Sequence, residues 1–196
     1  MVSLTGKQSE ILIKIFKDFT KSYNANSISR EVDMSSRGSL KILKQLEKEG
    51  LIIGKNMGKA VFYSLTLNDF YTRKIIEALL IEETRKKAQR WINEFKEVFN
   101  YTDIIILFGS IIKNPSHAND IDVILVYKRK NYGNVSSFIN NKNKLLLKKI
   151  HDIPQTIEDL KENLRKNPAI IDAIRTGYVL QGYDKLVEAV KDVTIL

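Results

Sequence analysis

Two nearly continuous apolar runs constrain the fold of this 196-residue chain most strongly. The stretches DIIILF at residues 103–108 and IDVILV at residues 121–126 have the length of strands and almost no polar positions. Strands with such uninterrupted hydrophobicity are typically buried on both faces. The runs therefore predict two buried strands in the C-terminal half of the chain.

Asp120 and Asp122 place two carboxylates at the start of the second run. Side chains alternate between the faces of a strand, so both carboxylates point to one side while Ile121 points into the core. Like charges held so close are unfavourable unless a cation lies between them, and Mg²⁺ prefers carboxylate oxygens. Gly109 and Ser110 follow the first run, where glycine allows close backbone approach and a hydroxyl and N–H groups can hold phosphate oxygens. The pattern predicts a joint metal and phosphate site.

Gly-Ser, nine further residues and Asp-x-Asp, each attached to an apolar strand, resemble the signature of the nucleotidyltransferase superfamily related to DNA polymerase beta. The likeness is greatest to its minimal nucleotidyltransferases. It implies that residues 101–196 form a nucleotidyltransferase-like domain, a mixed sheet with helices, that uses a nucleoside triphosphate such as ATP. By position it assigns phosphate binding to Gly109, Ser110 and Lys113, and the binding of two Mg²⁺ ions to Asp120 and Asp122.

The family's third catalytic carboxylate lies on a later strand, and Asp152 in LLLKKIHDIPQTIEDL is the candidate for it. Glu158 and Asp159 are set aside because they are explained as first-turn acids of a helix capped by Thr156. If Asp152 points away from the site, the domain would bind a nucleotide without turning it over. The simpler alternative is a loop whose polar residues only make turns. That alternative does not explain why a carboxylate, Asp122, stands within an apolar run.

Three helical stretches fall within the first fifty residues. The stretch at residues 7–20 carries an apolar stripe made of Ile11, Leu12, Ile15, Phe16 and Phe19. A second, short helix opens at Ser27, and a third, SSRGSLKILKQLEKEG, opens with a capping serine and closes at Gly50. Leu40, Leu43 and Leu46 are expected to line its buried side.

Two strand-like runs around the turn GKNMGK follow these helices and predict a basic hairpin. Residues 1–68 thus resemble the winged-helix transcription regulators, particularly the small archaeal and bacterial type. The resemblance implies double-stranded DNA as a partner, with the third helix in the major groove and the hairpin on phosphates. The DNA-binding residues on this interpretation are Ser36, Arg37, Ser39, Lys41 and Lys44 in the helix and Lys55 and Lys59 in the hairpin. The alternative is a protein-docking module whose lysines are merely solvated.

Residues 69–100 contain no proline or glycine and are predicted as a helical connector. Its apolar stripe either packs within the chain, the simpler expectation, or pairs with a second chain to form a homodimer.

Residues 127–144 are polar and lysine-rich and are interpreted as a solvated loop, with binding of an acceptor or RNA as the alternative. The tail is predicted as a helix, a strand from Tyr178 to Gln181 and a closing helix. His117 and His151 lie in polar settings and are interpreted as surface residues.

Composition narrows the function classes further. The chain has a formal charge of +9 and no cysteine, which favours an anionic partner and excludes disulfides and thiolate metal sites. The basic excess is densest in residues 1–66, with 11 Lys and Arg against 6 Asp and Glu. No stretch has the length of a membrane span and the N-terminus lacks a signal-peptide layout, so no membrane partner and a cytoplasmic location are expected.

These features predict an α+β chain of two domains joined by the connector, and three functional hypotheses remain. The first is an enzyme that transfers a nucleoside monophosphate to a hydroxyl on a protein, RNA or small molecule, dependent on Mg²⁺. The second is a winged-helix regulator whose C-terminal domain is a non-catalytic sensor of a nucleotide or partner. The third joins the two, with the protein binding its own promoter and modifying a partner encoded nearby, by analogy with toxin–antitoxin nucleotidyltransferases.

Overall fold

The structure, a computed structural model, describes residues 4–194 and combines helices with two β-sheets. The chain divides into two compact units, Met1–Leu79 and Leu80–Leu196. The division falls inside the segment 69–100 that the sequence predicts as a connector, so this segment is shared between the two units. No helix in the described part of the chain is both long and apolar enough to cross a membrane.

Three helices followed by an antiparallel hairpin form the first unit. They are α1 (Gly6–Lys17), α2 (Ala25–Glu31), α3 (Ser36–Lys48), β1 (Ile52–Met57) and β2 (Ala60–Leu65). The backbone N–H of Tyr63 in β2 donates to the carbonyl of Tyr23, 2.8 Å away, which ties the connection between α1 and α2 to the hairpin. This order of helices and hairpin is that of a winged helix, as the sequence predicts.

Side-chain caps determine where these helices begin. Asn24 accepts from the backbone N–H of Ser27, so α2 begins two residues before the start expected from the sequence. Ser35 caps α3 in the same way. Apolar faces of the three helices and the hairpin then pack into one core, whose fully or almost fully buried residues include Ile11, Leu12, Phe16, Ile28, Leu43, Leu46, Leu51 and Ile52.

Helix α4 (Phe70–Lys87) begins in the first unit and ends in the second. At its start the Asp69 carboxylate accepts from the backbone N–H and the hydroxyl of Thr72, at 2.8 and 3.1 Å. The backbone hydrogen bond from Thr72 is the main reason that the pKa of Asp69 lies below its usual value.

The second unit continues from the end of α4 with six helices, four strands and two short 3-10 segments among its described residues. Its regular elements are α5 (Gln89–Phe95), β3 (Ile104–Phe108), α6 (Ser110–Lys113), β4 (Asp120–Val126), α7 (Tyr132–Leu145), β5 (Lys149–Gln155), α8 (Ile157–Lys166), α9 (Pro168–Thr176), β6 (Tyr178–Gln181) and α10 (Tyr183–Thr194). The two 3-10 segments span Lys96–Tyr101 and Arg129–Asn131. Strand β6 has the bounds that the sequence predicts.

The four strands form one mixed sheet in the order β5-β4-β3-β6. Strand β3 pairs antiparallel with β4 and with β6, whereas β4 pairs parallel with β5. In this register Asp122 lies opposite Phe108 on one side and opposite His151 on the other. The two aspartates are therefore at the end of the sheet where β3 stops and β4 begins.

One face of this sheet packs on a cluster that also contains the predicted connector stripe. Ile121, Val123 and Leu125 of β4 belong to this cluster, together with Phe95 and Val98. Trp91, Ile92 and Phe99 pack against it. The stripe of residues 88–99 is thus covered within the chain, which is the simpler of the two expectations for it.

Helix α7 corrects the interpretation of residues 127–144 as a solvated loop. Residues 132–145 are helical, and Val135, Phe138 and Ile139 are buried in the same cluster as β4. The three apolar residues stand at helical spacing, so one side of this polar segment covers the sheet. The first residues, 127–131, contain only a short 3-10 turn.

Candidate functional site

The Gly-Ser motif and the Asp-x-Asp motif meet directly in the second unit. Gly109 has φ 81° and lies between β3 and α6, directly against the side chain of Asp122. A Cβ built on Gly109 would overlap Asp122 Oδ2 and lie 3.0 Å from Asp122 Cγ. Both the backbone conformation and the lack of space require glycine here.

Asp120, Asp122 and His151 each offer a ligand atom to one small volume. These three atoms lie within 4.8 Å of one another. His151 Nδ1 is 3.4 Å from Asp122 Oδ1, and the imidazole is largely exposed whereas both aspartates are half-buried. Within the described residues this is the one group of three such side chains that could hold a metal ion. The third member of this group is thus a histidine and not the carboxylate that the sequence predicts.

Asp152, the predicted third carboxylate, lies on the other side of the sheet. It stands opposite Val123 in the β4–β5 register, and Val123 faces the cluster beneath α7. Its charge contributes to raising the pKa of Tyr127, a residue of the same cluster, after the larger effect of burial. Strand alternation thus separates Asp152 from Asp122 and puts His151 in its place.

Ser110 and Lys113 lie at the two ends of the short helix α6, both exposed. The loop that follows is held together by its own side chains, because Asn114 Oδ1 lies 3.0 Å from both Ser116 Oγ and His117 Nδ1. His117 is exposed, which agrees with its interpretation as a surface residue. Ser110 thus directly follows the glycine that contacts Asp122, whereas Lys113 lies three residues further along the helix.

Replacing Gly109 with alanine tests the contact between the two motifs. We expect Gly109→Ala to lower the free energy of unfolding by about 1–3 kcal/mol, since the residue must leave a positive φ and the Asp122 carboxylate must move. Thermal or urea unfolding would measure the loss. Gly133→Ala is the matched control, because a Cβ at Gly133 meets nothing within 4 Å; equal stability of the two variants would contradict the contact.

Helix α3 carries the candidate DNA-binding surface of the first unit. Arg37, Lys41 and Lys44 are all exposed and stand at i, i+4 and i+7, so they form one stripe along the helix. We call these three residues the α3 stripe. Ser36 is exposed as well, and its hydroxyl lies 3.3 Å from that of Ser29 in α2.

Ser39 corrects the predicted set of DNA-binding residues. It is fully buried, and its hydroxyl has no hydrogen-bond partner among the described residues. Leu40, expected on the buried side, is instead 37% exposed. Ser39, Leu43 and Leu46 have the i, i+4, i+7 spacing of one helix face. Leu43 and Leu46 are therefore buried as predicted, and Ser39 takes the place predicted for Leu40.

The cations of this surface differ from others of the same unit in having no acidic partner. Within the described residues, none of Arg37, Lys41, Lys44, Lys55 and Lys59 has a carboxylate within 4.0 Å of its charged nitrogens. By contrast Lys7 pairs with Glu10 at 2.9 Å, and Lys14 with Glu31 at 2.6 Å. Among the described residues, these five charges are therefore not paired with a carboxylate of the protein.

A hydrogen bond fixes the hairpin to the end of α3. Glu47 Oε1 accepts from the backbone N–H of Gly54 at 2.8 Å. A Cβ on Gly54 would come within 2.7 Å of that oxygen and 2.8 Å of Val61 Cγ1. Burial, and then the Glu47 charge, raise the pKa of the neighbouring Tyr63. Lys55, next in β1, is thus held in a fixed position relative to α3, whereas Lys59 lies at the turn beside Gly58, φ 62°.

The sequence does not predict that two residues, His151 and Glu47, take part in these sites. His151 is on the surface as the sequence predicts, but its position beside Asp122 depends on a neighbouring strand and has no local signal. No local pattern in the sequence marks Glu47 as the acceptor for the backbone N–H of Gly54. A pairing of β4 with β5 in parallel, with Asp122 opposite residue 151, is the signal that would have found the histidine.

Comparison with known proteins gives little beyond this geometry. No protein-family model and no curated protein matches the sequence. Among solved structures, ZitR of Lactococcus lactis in complex with DNA is 26% identical, with a TM-score of 0.35. The match covers 48% of this chain and 64% of that chain, less than two thirds of it.

Two further solved structures match over a longer stretch at lower identity. The adhesin competence repressor AdcR of Streptococcus pyogenes is 12% identical with a TM-score of 0.38, over 74% of this chain and 84% of that chain. ZitR described as a zinc-responsive MarR family member is 18% identical with a TM-score of 0.35, over 74% and 77%. TM-scores this low do not show a shared overall fold, so the winged-helix description rests on the element order and strand pairing of the first unit.

Proposed function

We propose that this chain is a DNA-binding regulator whose second unit binds a divalent cation and a nucleotide. The observation that carries the proposal is the α3 stripe, a row of exposed cations without acidic partners on the third helix of a winged helix. A helix of this size fits the major groove of B-DNA, where Arg and Lys donate to guanine and to phosphates.

The hairpin extends the proposed DNA interface. Lys55 and Lys59 are exposed and unpaired in the described structure, and the bond from Gly54 to Glu47 joins β1 to the end of α3. Phosphate contacts from such a hairpin would add affinity and set the register of α3 without choosing the sequence. The exposed hydroxyl of Ser36 would also contact the phosphate backbone of the DNA.

Salt dependence tests DNA binding without knowledge of the target sequence. Fluorescence anisotropy of a labelled duplex, titrated with the full chain from about 50 to 300 mM salt, should give a log–log slope steeper than about −3, since several cations displace counterions from phosphates. Absence of binding at the low-salt end, or a flat salt dependence, would refute the DNA-binding proposal.

The second unit supports a further function, a metal-dependent nucleotide site built on Asp120 and Asp122. The specific observation in its favour is that Asp120, Asp122 and His151 bring three ligand atoms within 4.8 Å of one another. Two carboxylates and an imidazole fit a divalent cation, but the nitrogen favours Mn²⁺ or Zn²⁺ more than an all-oxygen set would. Three ligand atoms provide for one ion, so the second Mg²⁺ expected from the sequence would depend on triphosphate oxygens.

The phosphates of a nucleoside triphosphate would be held by Ser110, the N–H groups next to Gly109, and Lys113. A bound cation would neutralise charge on the phosphates during transfer. In such a transfer an acceptor hydroxyl forms a new bond to the α-phosphorus, the bond to the bridging oxygen breaks, and pyrophosphate leaves with the electron pair. The hydroxyl proton must pass to a base or to water. Because Asp152 lies across the sheet, the unit lacks the family's third carboxylate at this place, which favours binding of a nucleotide over its turnover.

A further inference from the structure

Lys148 joins two segments that lead into the candidate metal site. It stands in the short connection between α7 and β5, and its ammonium donates to the backbone carbonyl of Ala118. Ala118 precedes Asp120, the first residue of β4, by two positions, and Lys148 precedes His151 by three. One side chain therefore connects the backbone ahead of a proposed carboxylate ligand with the backbone ahead of the proposed imidazole ligand.

Asp120 lies where the pairing of the sheet ends. It pairs with Lys149, and this is the first pair of the parallel β4–β5 register. On the other side of β4, the pairing with β3 stops at Phe108 and Asp122, so Asp120 lies beyond it. Backbone at the end of a paired segment opens more readily than backbone in its middle. A contact from outside the sheet is therefore more important for Asp120 than for Asp122.

The backbone from which Lys148 extends is fixed to the end of α7. Asn143 Oδ1 accepts from the backbone N–H of Ile150 at 2.7 Å, and Asn143 Nδ2 donates to the carbonyl of Ile150 at 3.3 Å. The ammonium of Lys149 donates to the carbonyls of Leu146, at 3.2 Å, and of Asn143. Since α7 packs on the sheet, this end of the Lys148 contact has a firm base.

The other end of the contact lies on a loop that leads back to the Gly-Ser motif. The backbone N–H of Ala118 donates to the carbonyl of Asn114 at 3.1 Å, and the N–H of Asn114 donates to the carbonyl of Ser110 at 2.8 Å. The bond from Lys148 thus completes a path of hydrogen bonds from β5 through the loop at residues 114–119 to the start of α6. The parts of the candidate site that come from three different elements are connected along this path.

The charge of Lys148 and its hydrogen bond act on metal binding in opposite directions. Lys148 is half-buried, and no carboxylate among the described residues lies within 4.0 Å of its ammonium. A positive charge at this end of the sheet repels a metal cation. Lys148 therefore opposes metal binding through its charge and favours it through the bond to Ala118. The sign of the change on substitution shows which of the two dominates.

We propose that Lys148 is a positioning residue for the metal site and holds Asp120 in place through the loop at residues 114–119. The inference rests on the proposed metal site of Asp120, Asp122 and His151. The ammonium does not touch the ion. It fixes the backbone ahead of Asp120, so that the carboxylate binds the ion without first having to order the loop, and such preorganisation raises affinity.

Calorimetric titration of the full chain with Mn²⁺ tests this role. Lys148→Met keeps the unbranched stem and removes the ammonium, and it should lower the affinity about tenfold, as expected for loss of a group that orients a metal ligand. Lys148→Arg should restore most of the affinity, because a guanidinium N–H can donate to the same carbonyl. Lys144→Met is the matched control: it removes an exposed lysine four residues earlier, and the affinity should stay unchanged or rise slightly.

Amide hydrogen exchange of the metal-free protein gives a second, independent measurement. The backbone N–H groups of residues 114–120 should exchange faster in Lys148→Met than in the wild type or in Lys148→Arg. Thermal unfolding would establish that each variant is folded at the temperature of the titration. Lys148→Gln, which removes the charge and has a shorter side chain, takes the place of Lys148→Met if the methionine variant does not fold.

The possible outcomes separate the role of Lys148 from the metal site itself. A higher Mn²⁺ affinity in Lys148→Met would show that the lysine acts through its charge and would overturn the proposal. Equal affinities of Lys148→Met and Lys144→Met, or unchanged exchange at residues 114–120, would also overturn it. In these cases the wild type still binds Mn²⁺ and the proposed metal site stands. No Mn²⁺ binding by the wild type would overturn both the metal site and the role of Lys148.

Discussion

Replacing Arg37 and Lys41 together with alanine should weaken binding of double-stranded DNA about a hundredfold near 0.1 M salt. Each cation of the α3 stripe that contacts a base is worth about 1–3 kcal/mol, and each phosphate contact contributes about one unit to the salt slope. Anisotropy titrations at several salt concentrations would measure both effects. The double variant should show a slope shallower by up to about two units.

The control for this prediction removes the same charge from paired cations. Lys7→Ala with Lys74→Ala takes away two lysines that already have acidic partners, Glu10 and Glu77. Binding and its salt slope should then change little beyond the general effect of net charge. If the control and the α3 variant lost equal affinity, DNA would be responding to overall charge and not to the α3 stripe.

Ser39→Ala distinguishes the structure from the prediction made on the sequence. If Ser39 contacted DNA, its loss would weaken binding; because it is fully buried, the substitution should leave the affinity unchanged. Its hydroxyl has no partner in the described structure, so alanine should preserve or raise the free energy of unfolding, by up to about 1–3 kcal/mol.

Local patterns in the sequence were sufficient to predict the helices and the hairpin of the first unit. Helical spacing, capping residues and a glycine turn are properties of neighbouring residues, and they placed three helices and a hairpin close to where they lie. The buried face of α3 was harder to predict from the sequence. Whether Leu40 or Ser39 is the buried residue depends on the angle at which the helix packs. A polar Ser39 at that position gave no local indication of burial.

Helix α7 was predicted as a loop for a different reason. Val135, Phe138 and Ile139 have helical spacing, but asparagine, serine and lysine surround them and lower the average hydrophobicity of the segment. The helix is stabilised by the apolar face that it buries on the sheet, and not by intrinsic propensity. A polar average therefore led to the prediction of a loop.

The candidate metal site likewise has a part that local sequence predicts and a part that depends on how the strands pair. The proximity of Asp120 and Asp122, and the need for glycine before Ser110, follow from strand alternation and from the motif itself. The third ligand depends on the β4–β5 register, which places residue 151 and not residue 152 beside Asp122. A one-residue difference in register exchanges the faces of a strand, so this choice could not be made from the sequence.

Asp120→Ala and Asp122→Ala should each lower the affinity for Mn²⁺ by more than about a hundredfold. Loss of groups that only orient a metal ligand costs about 10- to 100-fold, so loss of a direct ligand should cost more. Titration calorimetry with Mn²⁺ and with Mg²⁺ on the full chain would measure it. His151→Ala should weaken Mn²⁺ binding while affecting Mg²⁺ less, because the remaining ligands are oxygens.

Asp152→Ala is the decisive control, since it removes a carboxylate one residue from His151 but on the other face of the sheet. It should leave Mn²⁺ affinity unchanged. The same variants should then be incubated with Mn²⁺ or Mg²⁺, each α-labelled nucleoside triphosphate and native cell extract. Label that appears on an acceptor and vanishes in Asp120→Ala would establish a transferase that works without Asp152. Loss of metal binding or transfer in Asp152→Ala, with retention in Asp120→Ala, would show that the wrong face of the sheet had been assigned to the site.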